Sequence, residues 1–587
     1  MYTELKAYQI IISLLKQRGI SHCVLSAGSR NVPFVHSIEE DPFFHCYSVV
    51  DERSAGYFAL GLAQELGEPV VISCTSSTAT CNYWPPVAEA FYQDVPLVVL
   101  TSDRNPSRVG QLEDQCIDQA GMYDRHVRKS VNLPVIKDAD DEWFCNRLVN
   151  EALLELNHHG SGPVHINVPM KTYNNSFPVK ELPKARLIER VLPEDKDLLE
   201  ECANRLHAAK RVLVICGQEA KVSNELQEAL DDFFGSGNVA IAAEYMANIK
   251  RENAFNPTLC MEYRYITEKK FREFLPDLVI SYGGNMTAGL KDMLRKCAGE
   301  FEHWSIEEDG KVVDAYLSLT KVFECSPEWF FSYFAENAVG STNNHEYARS
   351  LKEYEQSAII PKLEYNNILA IKDIVEKIPE NSIVHLAIND AIRITNFFKL
   401  SDGVTVYANV GTHGIDGCMS SLLGQSVASP ERESFLVIGD LAFFYDMGAM
   451  RIKHIGKNVH ILLINNHGGE EFFYNRMWKN ESSEVHTCAR HNTKAEGWVR
   501  ETGFRYLSAH DEESLNEAIP AFFEEGPVLL EVFTEMSTDA QALYDLYDVS
   551  RPRDVKSEAI RQSKEFIKAT IGQDKAQKIV EILKGGH

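Results

Sequence analysis

Two polar pairs in the segment 436–469 stand out for the chemistry that their oxygen atoms could do together. Gly439-Asp440 follows one apolar run, and Asn465-Asn466 follows the next apolar run along the chain. Because successive parallel strands of a βαβ unit end at the same edge of a sheet, Asp440 and Asn466 should reach one point. With a backbone carbonyl such as that of Gly468, they form the oxygen ligand set that Mg²⁺ takes when it also holds phosphate. Either pair by itself would indicate only a polar turn.

Glu52 is a second candidate, because it stands where an apolar run meets a helical pattern. The stretch VVDERSAGYFALGLAQELG covers residues 49–67. A solvated turn would explain Asp51 and Arg53, whereas Glu52 is predicted at the carboxyl end of a buried strand. Burial there would raise the pKa of Glu52 and keep a proton available for sharing. The small residues at 54–56 would let the helix begin close behind the strand.

Short apolar runs alternate with helical patterns along most of the chain, which is typical of parallel sheets built from βαβ units. The predicted strands are HCVLSAGS, FHCYSVV, PVVISCTSS, PLVVLTSD and GPVHINVP in a first block, RVLVICGQ, NVAIAAEY and DLVISYGG in a second, and SIVHLAIND, VTVYANVG, SFLVIGDL, VHILLINNHGG and PVLLEVF in a third. Most of them end in Ser, Gly, Asp or Asn, so polar side chains should collect at the sheet edges. We therefore predict an α/β protein with three doubly wound parallel-sheet domains.

Two polar, charged segments, 177–195 and 340–356, separate these blocks and are typical of linkers. The predicted domains are residues 1–180, 195–345 and 362–548. From residue 549 to residue 587 the chain is charged and helical in period, without a strand pattern. We therefore predict a C-terminal helical tail over 549–587.

Composition and charge limit the classes of partner. The 587 residues carry a net charge of −26, which argues against nucleic acid or an anionic membrane surface. The 13 cysteines are scattered and form no C-x-x-C pair, which favours a reducing compartment. The N-terminus has an amphipathic pattern rather than that of a signal peptide, and no apolar run reaches the ~18 residues of a membrane span. We predict a cytoplasmic protein without a membrane span, whose substrates are small molecules.

The pair Gly439-Asp440 followed by Asn465-Asn466 resembles the binding motif of the thiamine-diphosphate (ThDP) enzymes. The resemblance covers about residues 1 to 545 and implies a pyrimidine-binding, a central and a diphosphate-binding domain in that order. It also implies a role for Glu52, which would hydrogen-bond the aminopyrimidine ring and help to ionise the thiazolium C2 atom. The cofactor then attacks a 2-oxo acid and stores the carbanion after CO₂ leaves.

A narrower resemblance, to the MenD branch of this family, rests on segments that occur in a fixed order. They are SAGSRNVP (26–33), DERSAG (51–56), TSSTA (75–79), TSDR (101–104), QCIDQ (115–119), VHINVP (164–169) and NVGTHGIDG (409–417). MenD enzymes of menaquinone biosynthesis add a succinyl carbanion from 2-oxoglutarate to isochorismate. The resemblance implies this carboligation, with ThDP and Mg²⁺ (or Mn²⁺) as cofactors and carboxylates as substrates. It also implies a homodimer or homotetramer with active sites between subunits.

The MenD resemblance also assigns substrate roles. Ser29, Arg30, Arg104 and Gln115 would line the acceptor side, and Arg393 would hold the distal carboxylate of the donor. Arginine suits both tasks, since its planar guanidinium forms paired hydrogen bonds with a carboxylate. From the residues alone, the arginines could equally be surface charges, and Gln115 and Gln119 could be solvent-exposed loop residues.

The same resemblance assigns the cofactor site, with Glu52 on the pyrimidine side. On the diphosphate side the contacts would be Thr412, His413, Gly414, Ile415, Gly439, Asp440, Leu441, Ala442 and Phe472. Asp440, Asn466 and the carbonyl of Gly468 would bind the metal. Ile415 would lie under the cofactor and impose its bent shape, although Ile415 and Phe472 would be core residues under most other interpretations.

Several positions depart from the MenD pattern. Val410 replaces an arginine, Asn389 follows Ile388 where Asn-Ser is usual, Asp114 replaces an asparagine, Lys291 is a displaced candidate for a Lys-Arg pair, and Glu470-Glu471 adds negative charge beside the diphosphate loop. These departures leave open a MenD-like paralogue that uses a different 2-oxo acid outside menaquinone synthesis. A non-enzymatic scaffold would be expected to lack the activating glutamate or a metal ligand, yet Glu52, Asp440 and Asn466 are present.

Overall fold

The computed structural model describes residues 1–172, 176–262, 266–287, 289–337, 345–474 and 481–550. It is an α/β protein with three parallel sheets, which confirms the predicted fold class. The chain divides into two compact units: Met1–Glu200 with Glu302–Ser326, and Glu201–Phe301 with Pro327–His587. The three domain limits predicted from the sequence stay predictions. Of the predicted tail, residues 551–587 lie outside the described residues.

The strands of the described residues include every apolar run predicted from the sequence. They are β1 (His22–Leu25), β2 (His45–Ser48), β3 (Val70–Cys74), β4 (Leu97–Asp103), β5 (Lys129–Asn132), β6 (Val164–Pro169), β7 (Glu189–Val191), β8 (Val212–Cys216), β9 (Val239–Ala243), β10 (Ala254–Phe255), β11 (Leu278–Tyr282), β12 (Glu302–Ile306), β13 (Leu319–Phe323), β14 (Ile383–Leu386), β15 (Thr405–Ala408), β16 (Ser434–Gly439), β17 (Val459–Asn465), β18 (Arg505–Ala509) and β19 (Val528–Phe533). The strands that were missed, such as β7 and β10, are short or carry mixed polar residues, so their apolar signal is weak.

The helices alternate with these strands. They are α1 (Lys6–Gln17), α2 (Val32–Glu39), α3 (Glu52–Leu66), α4 (Thr78–Asn82), α5 (Trp84–Tyr92), α6 (Ala139–Leu154), α7 (Lys196–Ala208), α8 (Asn224–Ser236), α9 (Glu268–Phe271), α10 (Leu290–Lys296), α11 (Pro327–Asn337), α12 (Glu346–Gln356), α13 (Asn367–Val375), α14 (Asp390–Thr395), α15 (Cys418–Ala428), α16 (Asp440–Asp446), α17 (Glu470–Tyr474), α18 (Glu481–His486), α19 (Glu496–Glu501), α20 (Glu512–Phe522) and α21 (Met536–Ser550). No helix of the described part has the length and apolarity needed to span a membrane.

The first sheet lies within the first unit, in the order β2-β1-β3-β4-β6-β5. Its central strands β3, β4 and β6 are buried along their whole length. They are continuous apolar runs rather than alternating ones because helices cover both faces of a parallel sheet. Apolar side chains accordingly form one cluster on each face, around Phe34 and Val98 on one side and around Tyr83 and Val99 on the other.

The third sheet lies within the second unit and has the order β15-β14-β16-β17-β19-β18. Strand by strand, this is the same order as in the first sheet. A large apolar cluster surrounds it, with Phe435, Leu462 and Leu530 fully inside. Both sheets therefore bring the ends of their first four strands, and the loops that follow them, to one edge.

Each unit also holds further parallel strands. In the second unit they are β10, β9, β8 and β11, in that order, and in the first unit they are β12, β13 and β7. None of the 13 cysteines, all of which lie among the described residues, forms a disulfide, and most are buried. Buried thiols of this kind act as small apolar side chains.

Candidate functional site

The predicted metal ligands lie at one edge of the third sheet. Asp440 begins α16 directly after β16, and Asn466 follows β17. These strands are parallel neighbours, with Gly439 paired to Ile464, so both side chains leave the same edge. Asp440 is 2% exposed and Asn466 is 6% exposed. The structure thus brings together the two polar residues that the strand pattern placed there.

Gly468 lies directly against Asp440. Its N–H donates to Asp440 Oδ2 at 3.0 Å, while Asp440 Oδ1 accepts from the N–H of Leu441 at 2.6 Å. Gly468 has a φ of +150°, and a Cβ atom there would come within 2.6 Å of the carbonyl oxygen of Cys488. Only glycine fits this position, because both the backbone angle and the close approach exclude a side chain. His491 Nε2 also lies 3.3 Å from Asp440 Oδ2.

This group of oxygen atoms fits a Mg²⁺ or Mn²⁺ ion. The Asp440 carboxylate, the Asn466 side-chain oxygen and the Gly468 carbonyl are hard oxygen donors of the kind that such ions prefer. Two buried atoms of the same segment, Asn465 Oδ1 and His467 Nδ1, have no hydrogen-bond partner in the described structure. Buried polar atoms are nearly always paired, so these two atoms are exceptions in the segment that carries Asn466 and Gly468.

The loop that would cup the cofactor joins β15 to α15. Thr412 and His413 are exposed, whereas Gly414 and Ile415 are half-buried. Ile415 packs against the apolar cluster of the second unit and keeps part of its surface open. The loop therefore presents an apolar side chain and backbone atoms to its surroundings, as a cofactor contact requires.

The remaining predicted cofactor contacts surround Asp440. Gly439 is exposed, Leu441 is half-buried and Ala442 is buried. Phe472 is half-buried, and its ring lies within 3.0 Å of where a Cβ atom on Gly469 would be. These residues all lie at the end of the sheet that carries Asp440.

A buried acid cluster beside Asn466 was not predicted. Asn367 Nδ2 donates to Glu470 Oε2 at 2.7 Å, and the N–H of Asn367 donates to Asp539 Oδ1 at 3.1 Å. Burial and the charges of Asp390 and Asp539 raise the pKa of Glu470 well above its ordinary value. Burial raises the pKa of Asp539 to about 7. The sequence revealed only the negative charge of Glu470, because no local pattern links α13 or α21 to this loop.

Arg393, on α14, is held by two acids. Its Nη1 atom lies 2.5 Å from Asp390 Oδ1 and 3.2 Å from Glu471 Oε2. Glu471 was predicted only to add negative charge near the diphosphate loop, and the structure pairs it with this arginine. A substrate carboxylate at Arg393 would compete with Glu471 for the same guanidinium.

The positions that depart from the MenD pattern have different surroundings. Val410 is 1% exposed within the apolar cluster of the second unit, so it packs the core. Asn389 has a φ of +63° and a ψ of −121°, a strained backbone conformation outside the left-handed helical region. Lys291 Nζ donates to Asn285 Oδ1 at 2.6 Å, and burial lowers the pKa of Lys291. Asp114 is exposed.

Glu52 does not lie where the sequence placed it. Strand β2 ends at Ser48, lies at the edge of the first sheet and is largely exposed. Glu52 is instead the first residue of α3, after Asp51, whose Oδ1 accepts from the N–H of Ser54 at 2.8 Å. The prediction of a buried strand end was wrong, because an edge strand has a neighbour on one side only. Glu52 is half-buried within its own chain.

The small residues behind Glu52 do allow the predicted close packing. Ala55 is fully buried, and a Cβ atom on Gly56 would come within 2.3 Å of the Pro86 ring. Helices α3 and α5 therefore touch at a glycine. This contact fixes the start of α3 and, with it, the position of Glu52.

Arg30 and Gln115 come together at the edge of the first sheet. Arg30 is 7% exposed, and its Nη1 donates to Gln115 Oε1 at 2.9 Å and to Ser76 Oγ at 3.4 Å. Ser76 Oγ in turn donates to the carbonyl of Gln115 at 3.1 Å. Ser29 is exposed beside Arg30. Ser76 was not predicted as a site residue, although it lies in one of the recognised segments.

Arg104 and Gln119 make other contacts near the same edge. Arg104 Nη1 lies 2.8 Å from Glu113 Oε1. Gln119 is 1% exposed; its Oε1 accepts from the N–H of Ser77 at 2.7 Å, and its Nε2 donates to Asn167 Oδ1 at 3.0 Å. The interpretation of Gln119 as a solvent-exposed loop residue was wrong, because the loop folds back over the strand ends.

Known proteins resemble this chain along nearly its whole length. The family described as thiamine pyrophosphate enzyme, N-terminal TPP binding domain, matches residues 5–122. The chain is 39% identical over 565 residues to the 2-succinyl-5-enolpyruvyl-6-hydroxy-3-cyclohexene-1-carboxylate synthase of Bacteroides thetaiotaomicron. It is 39% identical over 568 residues to that of Bacteroides fragilis and 37% over 556 to that of Phocaeicola vulgatus. Each comparison covers 93% of this chain and 99% of the relative.

Proposed function

Because the chain belongs to the 2-succinyl-5-enolpyruvyl-6-hydroxy-3-cyclohexene-1-carboxylate synthase family, we propose that it catalyses the reaction of that name. It is a ThDP-dependent enzyme that decarboxylates 2-oxoglutarate and joins the remaining succinyl unit to isochorismate. The observation that carries this conclusion is identity of 37–39% along 93% of the chain. A paralogue that uses another 2-oxo acid is not favoured, since relatives matched over nearly their full length carry the synthase name.

Residues at the edge of the third sheet would hold the cofactor's diphosphate through a metal ion. Asp440, the side-chain oxygen of Asn466 and the carbonyl of Gly468 would coordinate Mg²⁺ or Mn²⁺. When bound, ThDP supplies a nucleophilic carbon and accepts the electron pair that is left after CO₂ departs. Ile415 would support the cofactor from the loop between β15 and α15.

On the first unit, Glu52 would share a proton with the aminopyrimidine ring of the cofactor. Its half-buried carboxyl group at the start of α3 would become less solvated once the cofactor lies against it, which favours proton sharing. The backbone contact at Gly56 supports this role, since it holds the helix start in place. Glu52 would thereby promote removal of the proton from C2.

Arg30 and Arg393 would bind carboxylates of the substrates. Arg30, nearly buried and oriented by Gln115, would hold a carboxylate of isochorismate. Arg393 would hold the distal carboxylate of 2-oxoglutarate in place of Glu471. Each charge-assisted contact would contribute about 1.5–3 kcal/mol to binding.

We further propose that two copies of the chain complete each active site, in a homodimer or homotetramer. Glu52 is only half-buried, and Val50, Tyr57 and Phe58 around it are 78%, 44% and 46% exposed. An apolar surface of this kind around a functional residue supports its coverage by a second copy. The absence of a disulfide among the 13 cysteines, all of them described, supports the predicted cytoplasmic location.

Calorimetry and CO₂ release test this function directly. We expect ThDP to bind only with Mg²⁺ or Mn²⁺ present, and we expect CO₂ from 2-oxoglutarate with isochorismate consumed in equal amount. Release of CO₂ from a different 2-oxo acid, with none from 2-oxoglutarate, would overturn the substrate assignment. Failure to bind ThDP at millimolar Mg²⁺ would overturn the cofactor assignment. A monomer that is fully active would contradict the shared active site.

A further inference from the structure

We propose that Glu470 and Asp539 are positioning residues that hold the Asn466 amide so that its oxygen faces the metal ion. This proposal rests on the proposed function. It concerns residues to which neither the family match nor the names of the relatives assign a role. Neither acid would touch the ion or the substrate; both would act through Asn466. We call Glu470, Asp539 and Asn367 the acid clamp.

The hydrogen bonds of Asn466 determine which way its amide points. Its Nδ2 atom donates to Glu470 Oε2 at 3.2 Å and to Asp539 Oδ2 at 3.3 Å. Each of these two oxygens also accepts a hydrogen bond from another donor, Glu470 Oε2 from Asn367 Nδ2 and Asp539 Oδ2 from Thr534 Oγ1. Both therefore act as acceptors, and a flipped amide would place its oxygen against them. Asn466 Oδ1 is left without a donor among the described residues, which keeps it available for a cation.

The acid clamp is itself held in place. Asn367 donates to both acids, through Nδ2 to Glu470 and through its N–H to Asp539. Thr534 Oγ1 also donates to Asp539 Oδ2 at 2.6 Å. Glu470, Asp539 and Asn367 are 6%, 0% and 2% exposed. Burying a carboxyl group costs free energy unless hydrogen bonds compensate for it. The placement of two such groups around one amide therefore indicates a function for them.

The purely structural explanation makes a different prediction. If the acid clamp only joins α13, α17 and α21, then removing a carboxyl group should lower the melting temperature and leave the metal affinity of the folded protein unchanged. If it orients Asn466, metal affinity should fall even where folding is intact. Groups that orient metal ligands typically change affinity by about 10–100-fold.

The test measures Mn²⁺ affinity in the presence of saturating ThDP, from the electron paramagnetic resonance signal of free Mn²⁺. We expect Glu470→Leu, which keeps the volume and removes the acceptor, to weaken Mn²⁺ binding by about 10–100-fold. Glu470→Gln retains an acceptor oxygen at the same distance and should restore binding to within about three-fold of the wild type. The matched control is Glu471→Gln, the same change one residue away, on a side chain that pairs with Arg393 instead. It should leave Mn²⁺ binding unaltered.

The outcomes separate the two proposals. Wild-type protein that binds Mn²⁺ with ThDP, together with a folded Glu470→Leu protein of equal affinity, overturns the acid clamp alone. Wild-type protein that binds no Mn²⁺ with ThDP overturns the proposed function and the clamp with it. Should Glu470→Leu fail to fold, judged by circular dichroism, Glu470→Met serves in its place, because its flexible side chain fills the same space without an acceptor oxygen.

Discussion

The first and third sheets have the same strand order and carry opposite chemistry at corresponding edges. In the first sheet, the segment after β3 contributes Ser76 to a neutral network around the cation Arg30. In the third sheet, the segment after the corresponding strand β16 begins with the acid Asp440, and two further acids, Glu470 and Asp539, contact Asn466 after the next strand. Strand order thus determines where loops converge, whereas the charge of the loops determines what binds there.

The same comparison extends to the second strand of each sheet. After β2 the chain turns into α3, which begins with Glu52, and after β15 it forms the loop from Thr412 to Ile415. The first element carries a carboxyl group, for which we propose proton sharing, and the second carries backbone atoms and an apolar side chain. Two copies of one scaffold therefore suit the two ends of a cofactor that has a basic ring at one end and a diphosphate at the other.

The comparison predicts that Glu52 acts on the reaction and not on cofactor retention. Glu52→Gln should bind ThDP with near wild-type affinity and lose about 10²–10⁴-fold in the rate of C2 proton exchange, because the amide cannot share a proton in the same way. Hydrogen–deuterium exchange of bound ThDP, followed by NMR, measures this rate. Glu65→Gln, an exposed change on the same helix, is the control. Near-normal exchange in Glu52→Gln would remove Glu52 from this role.

At the edge of the third sheet, we expect a substitution to weaken cofactor binding. Asp440→Asn should weaken Mg²⁺-dependent ThDP binding by about 100-fold, since the ion loses its charged ligand. Isothermal titration calorimetry with and without Mg²⁺ checks this. Asp446→Asn provides a control on the same helix, where the carboxylate accepts from Ser420. Equal ThDP affinity in wild type and Asp440→Asn would break the comparison between the two edges.

The cation of the first sheet should affect the acceptor substrate alone. Arg30→Met should raise the KM for isochorismate by about ten-fold or more, which corresponds to the loss of one charge-assisted hydrogen bond of roughly 1.5–3 kcal/mol. The KM for 2-oxoglutarate should stay within two-fold. Arg500→Met, which removes an exposed arginine paired with Glu496, is the control. A change in both KM values would show that Arg30 does not distinguish the two substrates.

The smallest expected effect concerns an acid away from both edges, Asp314. Burial opposes its charge, but Arg186 and hydrogen bonds from Trp143 and the backbone hold the pKa of Asp314 below its ordinary value. A depressed pKa stabilises the fold above the unfolded-state pKa, and this stabilisation disappears as the pH falls through the folded-state pKa.

Asp314→Asn should therefore lower the free energy of unfolding by about 1–3 kcal/mol at pH 7, and by progressively less below about pH 4. Urea unfolding of both proteins between pH 3 and pH 7 measures this difference. The double change Asp314→Asn with Arg186→Met tests whether the ion pair carries the effect, since the two losses should not add. If the difference in unfolding free energy between the two proteins does not change with pH, the stabilisation comes from the shape of the Asp314 side chain and not from its charge.

Much of the fold was accessible from local sequence. The apolar runs that became β16 and β17 placed Asp440 and Asn466 at one edge, because strand ends in a βαβ unit follow from connectivity alone. Gly468 was predicted from the sequence only as a carbonyl ligand, and the structure adds that no side chain fits there. Strand β2 was misjudged, since an apolar pattern cannot tell a central strand from an edge strand when the neighbouring strands are unknown.

The sequence by itself determined the α/β class, the strand ends and the polar residues at them, because these depend on hydrophobic period and on chain direction over short distances. Only the tertiary structure decided that Asn367 and Asp539 meet Asn466 and Glu470, through contacts that span up to 172 residues of chain. It also decided that Val410 packs the core and that Gln119 is buried. These facts depend on how helices and loops pack across the sheet, and packing between distant segments leaves no periodic signal in the sequence.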